Sequence, residues 1–351
     1  MKKLYSTREY KAWHKRKLQK IERQLQAKNN SSTKRSNQVR KNNSRGIENG
    51  LPFAIYAPVD FRLIENAEEC LMFFRNIRNE ENVKFIRNYQ IVVMSLFEVE
   101  QIDYATISVL TAISDDLKSK GVVLQGNFPR NKEARKFIED SGFLSHMVNE
   151  TNRPFPKPGK SELIFFEKGC GTLSGKDNRR ISQVVKDSVG HLTGETSQSL
   201  SVKTILLEIC GNSIEWGGTE NKQWLLGVKY EPGKVVFTVT DVGKGILQTL
   251  HRKFKKKLLD AFSIKNDAEI LLGAFEKKYG SNTQEINRNK GLPAVKVSAE
   301  RGILLDLKVL TNNVILHFDD HSRSMVFDSG SPRFKGTLYQ WEMTKECLSK
   351  I

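Results

Sequence analysis

Cysteine is scarce in this 351-residue sequence, and its four occurrences, Cys70, Cys170, Cys210 and Cys347, lie far apart. No pair has the close spacing of zinc or dithiol redox sites, so reduced thiols are expected and metal ligation by cysteine is not supported. Long hydrophobic runs are also lacking. Nowhere are about eighteen apolar residues contiguous, the minimum for a membrane-spanning helix. The opening "MKKLYSTREYKAWHKRK" has no apolar segment of the secretory kind. A soluble, cytoplasmic protein without a membrane span is predicted.

Acidic residues are missing chiefly from one end. Residues 1–49 hold fifteen Lys or Arg against Glu9, Glu22 and Glu48, and so carry most of the formal net charge of +17. Tyr10, Trp13, Leu18, Ile21 and Leu25 recur at spacing that suits a basic helix, and "KNNSSTKRSNQVRKNNSRG" behind it has too little apolar surface to fold. Residues 1–50 therefore read as a basic, largely flexible tail. Two roles fit: attraction to nucleic acid or another polyanion, which needs no fold, or a solubilising arm.

From residue 51 to about 160 apolar runs alternate with helical spacing. "YQIVVMSLFEV" reads as a buried strand, "ATISVLTAISDDLKSKG" as a helix closed by glycine, "VVLQGNF" as a second strand, and "RNKEARKFIEDSGF" as a helix stopped at Gly142. Strand, helix, strand, helix implies parallel pairing in a small α/β layer. The stretch resembles the STAS-type domain of anti-sigma-factor antagonists. Asp103 holds the first place of that family's Asp-Ser-Ser-Gly turn, but Ala105 falls where the phosphorylatable serine would be. Thr106 is left as an acceptor or as a helix N-terminal threonine. Three prolines in "TNRPFPKPGKSE" mark the boundary, giving a second domain over residues 161–351.

In that second domain, "NRRISQVVKDSVGHL" and "ETSQSLSVKTILLEICGNSIEWGG" read as helices, and "KQWLLGVKY" and "KVVFTVTDV" as a hairpin turning at Pro232-Gly233. On the second helix Glu208, Asn212 and Glu215 share a stripe about 60° wide within an otherwise apolar circumference. That stripe either faces water or carries chemistry. "DVGKGI" ends the second strand, with Asp241 at its tip and Gly243 and Gly245 permitting a tight turn against a ligand. Lys290-Gly291-Leu292 opens a later helix, whose free amides suit phosphate. "ILLDLKVL", "VILHFD" and "FKGTLYQWEM" are further strands, the last opened by Gly336-Thr337.

This ordered set resembles the GHKL ATPase family, the gyrase, chaperone, histidine-kinase and anti-sigma-kinase group. The implied architecture is a STAS-like α/β domain followed by a Bergerat-type α/β sandwich, with a mixed sheet and helices on one face. The resemblance implies that Asn212 coordinates Mg2+, that Glu208 is the catalytic base, and that Glu215 supports them. It implies that Asp241 accepts from the adenine amino group, that Thr337 adds a contact to adenine, and that Gly243, Gly245, Lys290, Gly291 and Leu292 border nucleotide and lid. Asn289 replaces an earlier glycine of the lid motif. The segment between Gly245 and Gly291, with its basic His251, Arg252 and Lys253, is long enough for a helical lid.

ATP and Mg2+ are thus the expected ligands, with a protein partner and a homodimer as expected associations. Three functions follow: ATP hydrolysis in a regulatory protein, phosphorylation of a partner's serine or threonine, or a non-enzymatic nucleic-acid adaptor with a relic nucleotide site.

Overall fold

Ile91, Val92 and Val93, β-branched residues suited to a pleated buried surface, form the centre of the first sheet. The computed structural model describes residues 53–86, 89–147, 155, 164–169, 173–217, 223–252, 266–276, 291–328 and 330–350. The basic tail, Lys290 and most of the expected lid lie outside the described residues, as does the side chain of Glu215.

The N-terminal half runs β1 (Ile55–Tyr56), β2 (Asp60–Phe61), α1 (Ala67–Ile77), β3 (Lys84–Ile86), β4 (Tyr89–Ser95), β5 (Gln101–Ile102), α2 (Tyr104–Ser119), β6 (Val122–Gly126) and α3 (Lys132–Asp140). β4 pairs in parallel with β6, Val92 opposite Leu124, as the strand–helix–strand order predicts. It also pairs in parallel with β1 and antiparallel with β3. Asp103 caps α2 by accepting from the Thr106 amide at 2.7 Å. Gly142 stops the chain after α3 with φ 76°, a conformation open to glycine. Thr106 sits in the first turn of α2, fully buried, and donates to the Phe61 carbonyl at 2.6 Å.

The C-terminal half continues with β7 (Ile164–Gly169), α4 (Gly175–Thr193), α5 (Leu200–Gly217), β8 (Trp224–Glu231) and β9 (Lys234–Asp241). Residues 246–252 form a helix, α6. Then come α7 (Asp267–Phe275), α8 (Gly291–Glu300), β10 (Leu305–Asn312), β11 (Val314–His317), β12 (Met325–Val326), β13 (Phe334–Thr344) and α9 (Lys345–Ser349). The large sheet has the order β12-β11-β10-β13-β9-β8-β7. The protein is α/β, with parallel pairs in the small sheet. The large sheet differs from the expected mixed one: among the described residues every pairing in it is antiparallel, because β8–β9 and β10–β11 are hairpins and β13 returns between them.

Alternation along β9 separates two cores. Val235, Phe237 and Val239 pack with Val185 of α4 and Ile209 of α5. The opposite face is covered by α2: Leu225, Leu310 and Leu338 share a core with Leu110 and Ile113, and Ser108 Oγ lies 2.8 Å from Thr238 Oγ1. Every residue of α2 from Tyr104 to Ser114 is consequently buried, since the helix lies between two sheets. Contacts within residues 51–351 form a single unit.

Candidate functional site

α5 forms because Val202, Ile205, Leu206, Ile209 and Cys210 give it an apolar seam against the large sheet. Its polar stripe does not face bulk water uniformly. Asn212 is 5% exposed and its Nδ2 is buried without a hydrogen-bond partner. Glu208, one turn earlier, is half-buried. A buried amide without a partner is costly and calls for an explanation such as a ligand.

Gly291 opens α8 directly against this amide. A Cβ at position 291 would overlap Asn212 Oδ1. Leu292 follows, buried in the same core as α5. The two predicted motifs therefore meet at one point, although long stretches of sequence separate them.

Asp241 ends β9 and is 1% exposed. The register sets Thr337 of β13, equally buried, directly opposite it. Asp241 Oδ1 accepts from the Gly243 amide at 3.0 Å, while Oδ2 is buried without a hydrogen-bond partner. Burial raises the carboxyl to about 7, against the opposing pull of the Gly243 amide, the facing Thr337 and Arg78. Trp224 is the neighbour on β8, since Leu225 pairs with Thr240; its Nε1 is also buried and unpartnered.

The turn after Asp241 is latched from β10. Thr311 Oγ1 accepts from the Ile246 amide at 2.9 Å and donates to the Gly336 carbonyl at 3.0 Å. Asn312 Oδ1 accepts from the Gln248 amide at 3.1 Å, and its Nδ2 donates to the Lys244 carbonyl at 2.8 Å. Two side chains of another strand thus cap the amides that open α6. Gly245 has φ 81°, and a Cβ there would come within 2.6 Å of Asn312 Oδ1, so no other residue fits without displacing the latch.

Sequence reasoning missed Thr311, Asn312, Trp224 and Arg78. The polar triplet Thr311-Asn312-Asn313 closing an apolar strand was a visible signal for the first two; Arg78 had none. Arg78, following α1, donates from Nη1 to the Lys335 carbonyl and from Nη2 to the Val242 carbonyl, each at 2.6 Å.

A cavity of about 380 Å3 opens between the end of α2 and the ends of β7, β8 and β9, with Asp115, Ser119, Trp224, Thr240 and Asp241 in its wall. Thr240 Oγ1 is buried there without a partner. Among the described residues, Asp306, His317 and Asp319 bring potential ligand atoms within 4.8 Å of one another. Lys308 pairs with Asp306 at 2.6 Å and Arg323 approaches Asp319 at 3.7 Å, so both carboxylates already face cations. This group lies at the end of the β10–β11 hairpin remote from Thr311.

No protein-family model matches the chain, and a search of curated proteins finds no match to it.

Proposed function

We propose that this chain is a Mg2+-dependent ATP-binding and ATP-hydrolysing regulatory protein of GHKL type, in which nucleotide state controls the segment between Gly245 and Gly291 and contacts with a protein partner. The observation that carries the reading is the pairing of the motif residues, Asn212 against Gly291 and Asp241 opposite Thr337, with Asn212 Nδ2 and Asp241 Oδ2 each buried without a partner. Asp241 Oδ2 is an acceptor for an exocyclic amino group, while the cavity beside Asp241 is lined from α2 and by none of Asn212, Gly291 or Thr337.

For the metal, the ligand atom would be Asn212 Oδ1, beside Gly291; Mg2+ keeps most of its shell as water and phosphate oxygen, so one amide oxygen would suffice on the protein side. When bound, the ion would neutralise charge on the transferring phosphoryl group. The remaining work falls to this chain. Asp241 and Thr337 orient the base, the Gly291 helix start offers amides to phosphate, and half-buried Glu208 accepts the proton of the attacking water.

Titration of the 351-residue chain with ATP, with and without Mg2+, tests the reading. Metal-dependent binding is expected, and its absence overturns the proposal. Glu208→Ala should retain binding while losing turnover by about a hundredfold or more, in the range of general-base loss.

A further inference from the structure

The last strand pair before the proposed nucleotide site is Asp241 opposite Thr337. Beyond it β9 and β13 diverge: Val242 enters the glycine turn, while Lys335 and Gly336 occupy an irregular stretch where the β10–β13 register slips. Gly336 has φ 149°, and a Cβ there would overlap the Asp241 carbonyl. The two strand ends are thus pressed together where the ladder no longer joins them.

Arg78 supplies the missing connection. It lies far from both strands in sequence and enters from the N-terminal half at the end of α1. Its fork spans the two carbonyls just outside the Asp241–Thr337 pair, Val242 on one strand and Lys335 on the other. A planar guanidinium donates to both in one fixed geometry, which an ammonium does not reproduce. The charged groups facing it are Asp241 of β9 and Asp116 of α2.

We infer that Arg78 is a positioning residue of the nucleotide site, clamping the strand ends that carry Asp241 and Thr337 at the separation base recognition requires. The inference rests on the ATP-binding reading above. It makes the site composite: its base-recognition end is set by a residue of the N-terminal half, so movement of α1 is felt at Asp241. Two effects of the side chain are separable. The fork sets spacing, and the positive charge favours the ionised form of Asp241, the better acceptor.

The experiment compares ATP affinity of the 351-residue wild type, Arg78→Lys and Arg78→Met across neutral pH, with thermal melting of each. If the wild type fails to bind ATP, the nucleotide reading itself falls. Given wild-type binding, Arg78→Met should weaken ATP about tenfold or more and move the midpoint of the pH dependence upward. Arg78→Lys should lose affinity by a similar factor while keeping the wild-type midpoint, because it keeps charge and loses the fork. A clamp that only joins the two halves would lower melting temperature without moving either binding readout. A folded Arg78→Met with wild-type affinity and midpoint overturns the inference. Should Arg78→Met not fold, wild-type affinity in Arg78→Lys overturns it equally.

Discussion

Gly291 stands so close to Asn212 that the hydrogen of glycine is the only substituent its α-carbon has room for. The first helix turn of α8 and the amide of α5 form one surface. Gly291→Ala should push the Asn212 side chain away, at a stability cost of about 1–3 kcal/mol from overpacking. The metal-dependent part of ATP binding should fall by about tenfold or more, read as the difference between titrations with Mg2+ and with chelator.

Asp241 predicts a pH dependence of definite sign. Its carboxyl is raised from 3.8 to about 7 by burial, so the folded state binds more protons than the unfolded state between those values. Its contribution to stability is therefore fully present below the lower value and is lost as pH rises toward about 7, with a slope of at most about 1.4 kcal/mol per pH unit. Nucleotide affinity should run the opposite way, strengthening as the carboxylate ionises. Asp241→Asn should flatten the stability profile and weaken ATP binding at every pH; chemical denaturation and calorimetric titration at matched pH values measure both.

Thr106 has its hydroxyl in the core rather than at a surface. Thr106→Val leaves the Phe61 carbonyl without its donor and should cost about 1–3 kcal/mol in urea melts. A kinase acting on the native chain should leave Thr106 unlabelled in peptide mass spectrometry, because the side chain is fully buried.

Cutting the chain at residue 160 would uncover Leu225, Leu310 and Leu338 along one face of the large sheet. Residues 161–351 expressed alone should bind a hydrophobic dye and elute as aggregate, while residues 51–351 should remain monodisperse by light scattering.

Strand and helix positions were legible wherever one period dominated. "YQIVVMSLFEV" yielded β4, "ATISVLTAISDDLKSKG" yielded α2, and Gly142 stopped the chain as expected. Burial of α2 on all sides was not legible, because its periodicity shows apolar content but not the second sheet that covers it. The antiparallel order of the large sheet was hidden too: β13 inserts between β9 and β10, a long-range choice that no local pattern encodes. At the site, Glu208, Asn212, Asp241 and Thr337 were each visible as residue types in order. The pairing of Asp241 with Thr337 and the seating of Asn212 against Gly291 were not. Thr311 and Asn312 act by side-chain reach across strands, and Arg78 by reach across the two halves, so neither has a spacing signature.

The burial of α2 has a further cost for any regulator. Apart from half-buried Asp115, the helix shows solvent only Lys118 and Ser119 in its final turn, next to the cavity at the strand ends. A modifying enzyme or small effector approaching α2 finds no other landing place. Any signal entering this helix elsewhere must pass through the side chains of the two sheets packed on it.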